Sequence, residues 1–442
     1  MIRNHFCICP CGPVQGKAAQ EGVTAFRGIR YATAGRWEYP VRVTHWDGVY
    51  DATSFGPNCM GRGAFEEEDP NSFYCHEFRA GLPYTFSEDC QYLNIFAPDD
   101  AEKAPVIVYI HGGAFMGGSG WDKVFDEPRW PEKGVIAVTL NYRLGIYGAV
   151  RLPELESEAG HAGNYNLYDQ LAALEWVYEN IASFDGDPNN ITLMGQSAGA
   201  RSVQMLVGSP RMKGIIRRAV MSSGGCIPSH LFDRVPTHAE SVAFWEGWRQ
   251  MLGGKSLEEL RALSAKELVD SLGALFPRCG FHEVVTQVAP IYDEADFPAP
   301  ESPVALPGGC LDIPYICGGN REDIVPGLAW DSLDWTGKRA QPSYAYCFAR
   351  ALPGDEEFSW HSADLWYWFG TLNHCWRPFE ASDYALSETM ISYLLNFARS
   401  GNPNGEGLPL WENSARNGCL MLFDERSEMT QEIPEPRKEN TL

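Results

Sequence analysis

The stretch "ITLMGQSAGA", residues 191–200, joins an apolar run to a turn of small residues. Gly195 and Gly199 flank Ser197, and a helical pattern follows. A sharp strand-to-helix turn needs small residues on both sides, and it lifts the serine hydroxyl out at the top of a sheet, at the positive end of the next helix. The rival interpretation is an ordinary glycine-rich turn with a solvated serine. We predict a strand–turn–helix unit that presents Ser197 as a nucleophile.

Apolar runs of strand length recur on both sides of this unit, at residues 106–110, 135–140, 191–195, 219–223, 313–317 and 343–348. Most are continuously apolar, which is typical of strands buried on both faces of a parallel sheet. Between the second and third runs, large apolar residues of the stretch 166–184 recur at steps of four and three, as on one face of a helix. The run 240–275 is also largely helical. We predict one α/β domain over residues 1–442, with a mostly parallel, doubly wound central sheet flanked by helices and its site at the carboxyl ends of the strands.

The amino-acid composition indicates which kinds of binding partner suit the protein poorly: its negative net charge repels polyanions. The formal net charge of the 442-residue chain is −23, which disfavours nucleic acid and anionic membrane surfaces. The chain shows no secretory signal and no apolar run of about 18 residues, so we expect a cytoplasmic protein without a transmembrane helix. In that compartment most of the thirteen cysteines would be thiols. We expect a small-molecule substrate and a monomer or small homo-oligomer.

Four possible metal ligands lie close together near the start of the chain. His5, Cys7, Cys9 and Cys11 are spaced by two, so in a strand they would share one face. Thiolates and imidazole could hold zinc, but the spacing fits no usual zinc pattern and Pro10 would interrupt the strand. We predict an ordinary edge strand and no metal.

Two further stretches supply what a serine nucleophile needs, which is a base and a pocket for the oxyanion. "HGGAFMGGSG", residues 111–120, can turn backbone N–H groups toward an oxyanion; a phosphate cradle is the rival, but the Gly-Lys-Ser/Thr end of a P-loop is missing. In the α/β-hydrolase order the acid and then the histidine follow the serine. Glu322 and Asp323 in "NREDIV" are the candidate acids, and beyond them only His361 and His374 remain.

These motifs together resemble the type B carboxylesterase family, the α/β-hydrolases that include the cholinesterases. The resemblance runs nearly end to end, and the shorter stretch between the acid and the histidine resembles compact bacterial members. It rests on "AFRGIRYA" (25–32), "SEDCQYLNIFAP" (87–98), "HGGAF" (111–115), "NYRLGIYG" (141–148), the run from Gly163 to Ala200 and "FARSGNPNG" (397–405). The resemblance implies an α/β-hydrolase fold and ester hydrolysis without cofactor or metal.

The resemblance also assigns a triad. Ser197 matches the nucleophile and His361 matches the base, which the family follows with an x-x-acid-Leu-x-Tyr-x-Phe pattern. The Gly-x-Asn-x-x-acid pattern of the family reaches Asp323, whereas a register error of one residue would give the role to Glu322. We expect Asp323 to face the histidine and Glu322 to be a solvated surface residue.

The same resemblance implies an oxyanion hole and two supporting residues. Gly113, Ala114 and Ala198 match the donors of the oxyanion-hole N–H groups. Ser223 in "MSSGG" matches a serine that supports the acid. Gln196 is a departure, because cholinesterases carry glutamate before the serine, so a cationic choline ester gains no charge partner there.

Cys59 and Cys90 match a disulfide pair of secreted relatives, and in a cytoplasmic chain we expect them near each other as thiols. The function that follows is hydrolysis of carboxylic esters through an acyl-enzyme on Ser197. Two alternatives remain: an esterase specialised for acetylated or feruloylated sugars or for lactones, and a non-catalytic member that acts as a binding or adhesion protein. The aromatic stretches 72–78 and 364–369 could line an acyl or aryl pocket or belong to the core.

Overall fold

An eleven-stranded sheet forms the centre of the protein in a computed structural model that describes residues 2–226, 234–302, 306–354 and 358–432. Within these ranges, three smaller sheets of two or three strands lie outside it. In chain order the strands are β1 (Phe6–Cys9), β2 (Gly12–Gln15), β3 (Lys17–Ala18), β4 (Val23–Arg30), β5 (Ala32–Thr33), β6 (Val41–Arg42), β7 (Tyr50–Asp51), β8 (Asn58–Cys59), β9 (Phe86–Ser87), β10 (Tyr92–Pro98), β11 (Ala104–Ile110), β12 (Ile136–Leu140), β13 (Gly186–Gln196), β14 (Ile216–Ser222), β15 (Tyr315–Asn320), β16 (Tyr344–Phe348), β17 (Leu420–Phe423) and β18 (Ser427–Thr430).

The α-helices fill the connections between these strands. They are α1 (Gly145–Ala149), α2 (Pro153–Ala159), α3 (Tyr165–Asn180), α4 (Ala198–Val207), α5 (His238–Met251), α6 (Leu257–Arg261), α7 (Ala265–Gly273), α8 (Phe276–Cys279), α9 (Phe281–Val288), α10 (Leu328–Gly337), α11 (Leu365–Phe369), α12 (Ala381–Ser400) and α13 (Ser414–Asn417). The helical run predicted over 240–275 is divided into α5, α6 and α7. Each of the three begins with a capping box, in which Thr237, Ser256 or Ser264 exchanges hydrogen bonds with the glutamate three positions later.

The central sheet is mostly parallel, as the apolar runs predict. Its order is β18-β17-β16-β15-β14-β13-β11-β12-β10-β4-β3, and the strands from β17 to β12 in this order pair in parallel. Antiparallel pairing is confined to the two sides, at β12–β10–β4–β3 and at β17–β18. The predicted mostly parallel central sheet flanked by helices is confirmed.

Both faces of the sheet are covered by apolar side chains. Val106, Val108 and Ile110 of β11 belong to one hydrophobic core, and the alternating residues Ile107 and Tyr109 belong to the other. A strand that contributes to two cores cannot alternate apolar and polar residues, which explains its continuously apolar sequence.

The amino-terminal residues form the predicted edge strand. β1 pairs with β2, and Pro10 lies in the turn between them. Cys7, Cys9 and Cys11 are buried, while the His5 ring nitrogen Nδ1 lies 2.6 Å from the Thr24 hydroxyl. Within the described ranges, no group of three or more histidine, cysteine or acidic side chains is arranged to hold a metal ion. In the same ranges no helix is both long and apolar enough to cross a bilayer.

Candidate active site

Ser197 lies in a strained turn between β13 and α4. Its φ and ψ are 57° and −124°, a combination that non-glycine residues rarely adopt. A Cβ at Gly195 would lie 2.4 Å from the Gly199 carbonyl oxygen, and a Cβ at Gly199 would lie 2.0 Å from the Ile110 carbonyl oxygen. Only glycine fits either position, so the small residues of the opening stretch are required by close backbone packing.

The neighbouring strand β14 holds this turn in place. The Ser197 N–H donates to the Ser222 carbonyl at 2.8 Å, and a Cβ at Gly224 would lie 2.2 Å from the Ser197 carbonyl oxygen. The serine side chain is partly exposed. In the described part of the chain no hydrogen bond joins its hydroxyl to His361, a contact that often tightens only when substrate binds.

Asp323 and His361 are in direct contact. The His361 Nδ1 lies 2.7 Å from Asp323 Oδ1, and both side chains are almost fully buried. The Ser223 hydroxyl donates to Asp323 Oδ2 at 2.6 Å, and the backbone N–H groups of Asn320 and Ile324 donate at 3.0 and 2.8 Å. Burial alone would raise the pKa of Asp323, but the His361 interaction and these hydrogen bonds together lower it. The carboxylate is therefore held in its charged form beside the imidazole.

The expectation that Glu322 is a solvated surface residue is wrong. Its side chain is fully buried, and its Oε1 accepts a hydrogen bond from Arg321 Nε at 2.6 Å. Its Oε2 accepts from the Ser359 N–H at 2.8 Å, and its backbone forms a bridge to Trp360. A buried carboxylate needs a counter-charge and donors, and the neighbouring arginine and the segment before His361 supply them. The structure does not bring Glu322 to His361 as an alternative acid.

The second candidate histidine lies elsewhere. His374 is in a short 3₁₀ turn, and its Nδ1 lies 3.1 Å from the Lys123 carbonyl oxygen. This contact does not connect it to either acid. Of the two histidines left open by chain order, the structure brings only His361 to Asp323.

The glycine-rich stretch after β11 packs against the serine turn. A Cβ at Gly112 would lie 2.9 Å from Ser197 Cβ. Gly113, Ala114 and Phe115 have φ values of 111°, 54° and 57°, so three successive residues lie on the left-handed side. Such a run turns successive N–H groups toward one side of the chain.

Within the described ranges, the three residues predicted as oxyanion donors have backbone N–H groups without a backbone acceptor. Among the described residues, the N–H groups of Gly113 and Ala114 donate to no backbone carbonyl. Ala198 is the first residue of α4, so its N–H has no acceptor within the helix. All three N–H groups therefore lack a backbone acceptor in the part of the chain that the structure describes, and they lie in the serine turn or in the stretch that packs against it.

A further buried carboxylate, Asp364, lies close to the residues that hold Asp323, and sequence reasoning assigned it no role. Asp364 is fully buried and accepts hydrogen bonds from Ser222 and Tyr346 hydroxyls at 2.9 Å, and from Trp368 Nε1 at 3.1 Å. Asn320 Nδ2 lies 3.2 Å from Asp364 and 3.3 Å from the Ser223 hydroxyl. Burial raises the pKa of Asp364. The signal was its place in the x-x-acid pattern after the histidine, but its partners come from three other segments.

Gln196 contacts the histidine from the serine side. Its Nε2 lies 3.2 Å from His361 Nε2 and donates to the Ser362 hydroxyl at 2.8 Å. The sequence identified Gln196 as a supporting residue and as a departure from glutamate, but it did not indicate the contact with His361. Ser362 was not singled out, although its φ of 80° marks a strained position.

The two aromatic stretches have different environments. The side chains of α11, from Leu365 to Phe369, are buried in a core and do not form a pocket. In contrast, Phe73 and Tyr74 are 46% and 36% exposed, and the Phe73 ring packs edge-on at 4.8 Å against Trp360. Because Trp360 directly precedes His361, an exposed aromatic surface adjoins the candidate site.

A cavity of about 510 Å³ lies beside the glycine-rich stretch. Met116, Gly117 and Gly118 form part of its wall. Its charged lining consists of Glu66, Glu67, Glu68, Asp69, Asp122, Arg62 and Arg79. The five carboxylates outnumber the two guanidinium groups, so this wall disfavours anionic groups.

Cys59 and Cys90 are free thiols that lie together, as expected. Burial and a hydrogen bond with Cys59 raise the pKa of Cys90 well above its ordinary value. The Cys59 sulfur also accepts a hydrogen bond from the Leu144 N–H at 3.2 Å. Both sulfurs are therefore held inside the protein as thiols.

Comparison with known proteins gives matches along nearly the whole chain. The model of the carboxylesterase family matches residues 5–331 and 329–440. The para-nitrobenzyl esterase of Bacillus subtilis (strain 168) is 30% identical over 504 aligned residues, which cover 98% of this chain and 97% of that protein.

Solved structures agree. A carboxylesterase of Geobacillus stearothermophilus has a TM-score of 0.78 at 26% identity, with 96% of this chain and 97% of the other covered. An esterase from the anaerobe Clostridium hathewayi, described as able to hydrolyse aliphatic aromatic polyesters, has a TM-score of 0.82 at 23% identity, with 96% and 95% covered. At that identity the second likeness bears on the fold alone.

Proposed function

This chain belongs to the carboxylesterase family and is a carboxylic ester hydrolase, and we propose that Ser197, His361 and Asp323 are the triad with which it forms and hydrolyses an acyl-enzyme. The observation that carries the proposal is the 2.7 Å contact between His361 Nδ1 and Asp323 Oδ1 beside the strained serine turn. With the Nδ1 hydrogen directed at the carboxylate, the Nε2 lone pair is left to accept the serine proton.

The proposed steps follow from this geometry. Ser197 Oγ attacks the ester carbonyl while His361 Nε2 takes its proton, and the N–H groups of Gly113, Ala114 and Ala198 bind the developing oxyanion. His361 then gives the proton to the departing alcohol, which leaves the acyl group on Ser197. Water, deprotonated by the same imidazole, attacks the acyl-enzyme and releases the acid. Asp323 orients the imidazole and stabilises its charged form throughout.

The test is Ser197→Ala assayed with p-nitrophenyl acetate and butyrate. We expect kcat to fall by roughly 10⁶-fold, because the nucleophile is removed. Ser157→Ala, at an exposed serine of α2, is the matched control and should keep wild-type activity. Labelling with a fluorophosphonate should modify Ser197 in the wild type and in Ser157→Ala. Wild-type turnover by a folded Ser197→Ala protein would refute the triad, and no turnover by the wild type would favour a non-catalytic binding protein.

A narrower proposal concerns the substrate. We propose small esters that carry an aryl group, a class that includes feruloylated sugars, rather than acetylated sugars or aliphatic lactones. Support comes from the exposed Phe73 and Tyr74 rings beside Trp360, the residue that precedes His361. Aromatic rings prefer an aromatic partner by about 1 kcal/mol beyond area burial.

Benzyl acetate and cyclohexylmethyl acetate test this choice, because both release a primary alcohol of similar acidity and they differ mainly in the aromaticity of the ring. We expect the wild type to prefer benzyl acetate, and Phe73→Leu to reduce that preference about fivefold. Phe281→Leu, at a residue that is 68% exposed on α9, is the control. An unchanged ratio in Phe73→Leu would exclude this subsite.

We also propose that the enzyme acts in the cytoplasm as a monomer or small homo-oligomer. The thirteen cysteines, all free thiols, support a reducing compartment. Alkylation of the denatured protein without reductant should modify thirteen thiols in a cytoplasmic preparation, and sedimentation should give the oligomeric state. Protection of Cys59 and Cys90 from alkylation would indicate an oxidising compartment instead.

A further inference from the structure

Gln196 occupies the position through which the base must exchange its proton. Its side chain is buried, and its Nε2 lies 3.2 Å from His361 Nε2. His361 Nδ1 faces Asp323, so Nδ1 carries the hydrogen and Nε2 presents a lone pair. The Gln196 amide therefore directs an N–H toward the lone pair that the reaction uses.

The other contacts of this amide fix its position. The second N–H donates to the Ser362 hydroxyl at 2.8 Å. On the opposite side, a Cβ at Gly112 would lie 2.7 Å from Gln196 Oε1. The side chain is thus wedged between the glycine-rich stretch and the residue pair His361–Ser362.

Ser362 has a conformation that glycine would adopt without strain. Its φ of 80° is in the left-handed region, where a side chain is disfavoured. Its hydroxyl is the group that accepts from Gln196. Glycine would relieve the backbone strain at this position, but it has no hydroxyl to accept the hydrogen bond from Gln196.

We propose that Gln196 is a positioning residue for the general base: together with the Ser362 hydroxyl it holds the His361 imidazole beside the serine turn before substrate binds, it releases the Nε2 lone pair when the serine proton is transferred, and its neutral amide places no negative charge next to the imidazole. The inference rests on the proposed triad.

Other titratable groups surround His361, and the experiment leaves them unchanged. They are Asp323 and the Arg321–Glu322 pair on the acid loop, Asp364 on the histidine segment, Tyr74 and the Glu77–Arg377 pair behind Trp360, and His111 of the glycine-rich stretch. Partial desolvation of Tyr74, which is 36% exposed, followed by the charge of Asp323, raises the pKa of Tyr74 to about 12, and burial lowers the pKa of His111 to about 4. Both are therefore uncharged between pH 5 and 9.

The pH dependence of kcat/KM is the readout. In Gln196→Glu the new carboxylate would stabilise the imidazolium, so we expect the acidic limb to move up by about one pH unit, equivalent to a tenfold loss on that limb. Gln250→Glu adds the same charge at an exposed position on α5 and should leave the limb in place. An acidic limb in Gln196→Glu that coincides with the wild type would overturn the proposal.

Two further variants keep the test decisive if Gln196→Glu does not fold. Gln196→Met and Ser362→Gly each remove one partner of the amide–hydroxyl pair, and we expect each to lower kcat five- to tenfold with KM unchanged. Because both changes break one interaction, the double variant should be no slower than the slower single variant. Multiplicative losses would overturn the proposal. Ser197→Ala separates the test of the triad from the test of the positioning role. If Ser197→Ala is inactive while the Gln196 and Ser362 variants behave as wild type, the triad stands and only the positioning role of Gln196 fails.

Discussion

The loop after β15 carries two buried carboxylates with opposite surroundings. Asp323 faces the imidazole of His361 and accepts from Ser223, whereas Glu322 faces the guanidinium of Arg321 and accepts from the backbone before the histidine. Neither is solvated, so burial does not distinguish a catalytic acid from a structural one. The difference lies in the partner. An imidazole can pass a proton on, while a guanidinium remains charged and can only hold the loop together.

The largest expected effect is on the catalytic side of this comparison. Asp323→Asn should lower kcat by roughly 10⁴-fold, because the amide cannot hold the correct tautomer of the imidazole or stabilise its charge. Steady-state kinetics with p-nitrophenyl butyrate measures this loss, and circular dichroism verifies the fold. If Glu322→Gln showed the larger loss of kcat, the two acids would have to exchange roles.

On the structural side the expected effect is on stability. Glu322→Gln removes one charge of a buried ion pair, which we expect to lower the free energy of unfolding by roughly 3 kcal/mol. The kcat of the folded fraction should stay close to that of the wild type. Urea unfolding followed by tryptophan fluorescence gives the first quantity and active-site titration corrects the second. A midpoint equal to that of the wild type would show that the pair contributes nothing to stability.

A smaller effect on kcat is expected from the serines that lie beside the two carboxylates, Ser223 beside Asp323 and Ser359 beside Glu322. Ser223→Ala removes a hydrogen bond to the charged Asp323, and we expect kcat to fall roughly tenfold. Ser359→Ala is the matched change on the other side, where the hydroxyl donates to the Phe348 carbonyl at 2.9 Å. Its kcat should not change. Equal losses in the two variants would mean that the loop as a whole, rather than the carboxylate, is being perturbed.

The smallest effect is a dependence of stability on pH. Because the pKa of Asp323 is lowered from 3.8 in the folded protein, its charged form contributes stability that is present above pH 3.8 and is lost as pH falls through the folded pKa. The stability difference between wild type and Asp323→Asn should therefore shrink as the pH falls below about 4. Unfolding midpoints at four pH values between about 5 and 2 give this difference. A difference that widened below about pH 4 would contradict the lowered pKa.

Much of the fold was predictable because strands buried on both faces leave a clear apolar signature. Every run identified as a strand belongs to the central sheet. β13 nevertheless begins at Gly186, five residues before its apolar part, because Gly186 pairs with Ala104 of β11 and the register shifts before Ile191 pairs with Val106. β14 likewise begins at Ile216, three residues before the apolar run 219–223, because Arg217 and Arg218 interrupt the apolar pattern. A strand extends as far as its backbone hydrogen bonds to the neighbouring strands continue. An apolar run in the sequence marks only the part of the strand whose side chains are buried.

The site was predictable only in part. Chain order and family pattern pointed to Ser197, Asp323 and His361, whose roles stay a prediction for the variants above to decide. The burial of Glu322 was missed because, besides the neighbouring Arg321, its carboxylate accepts from the Ser359 N–H, and no local pattern reveals that distant donor. The contact of Gln196 with His361 spans 165 positions and was missed for the same reason.

The strand order has a consequence for synthesis on the ribosome. After β13, the strands β14, β15, β16 and β17 are added to the sheet one after another in chain order. With 165 positions between Gln196 and His361, a ribosome that adds about 5–20 residues per second makes the serine turn roughly ten to thirty seconds before the base. During that interval the nascent chain has a nucleophile without a base and an open sheet edge at its newest strand. During this interval the open edge can pair with strands of other chains. Binding of a chaperone to the nascent chain would prevent this pairing and would favour a high yield of folded enzyme.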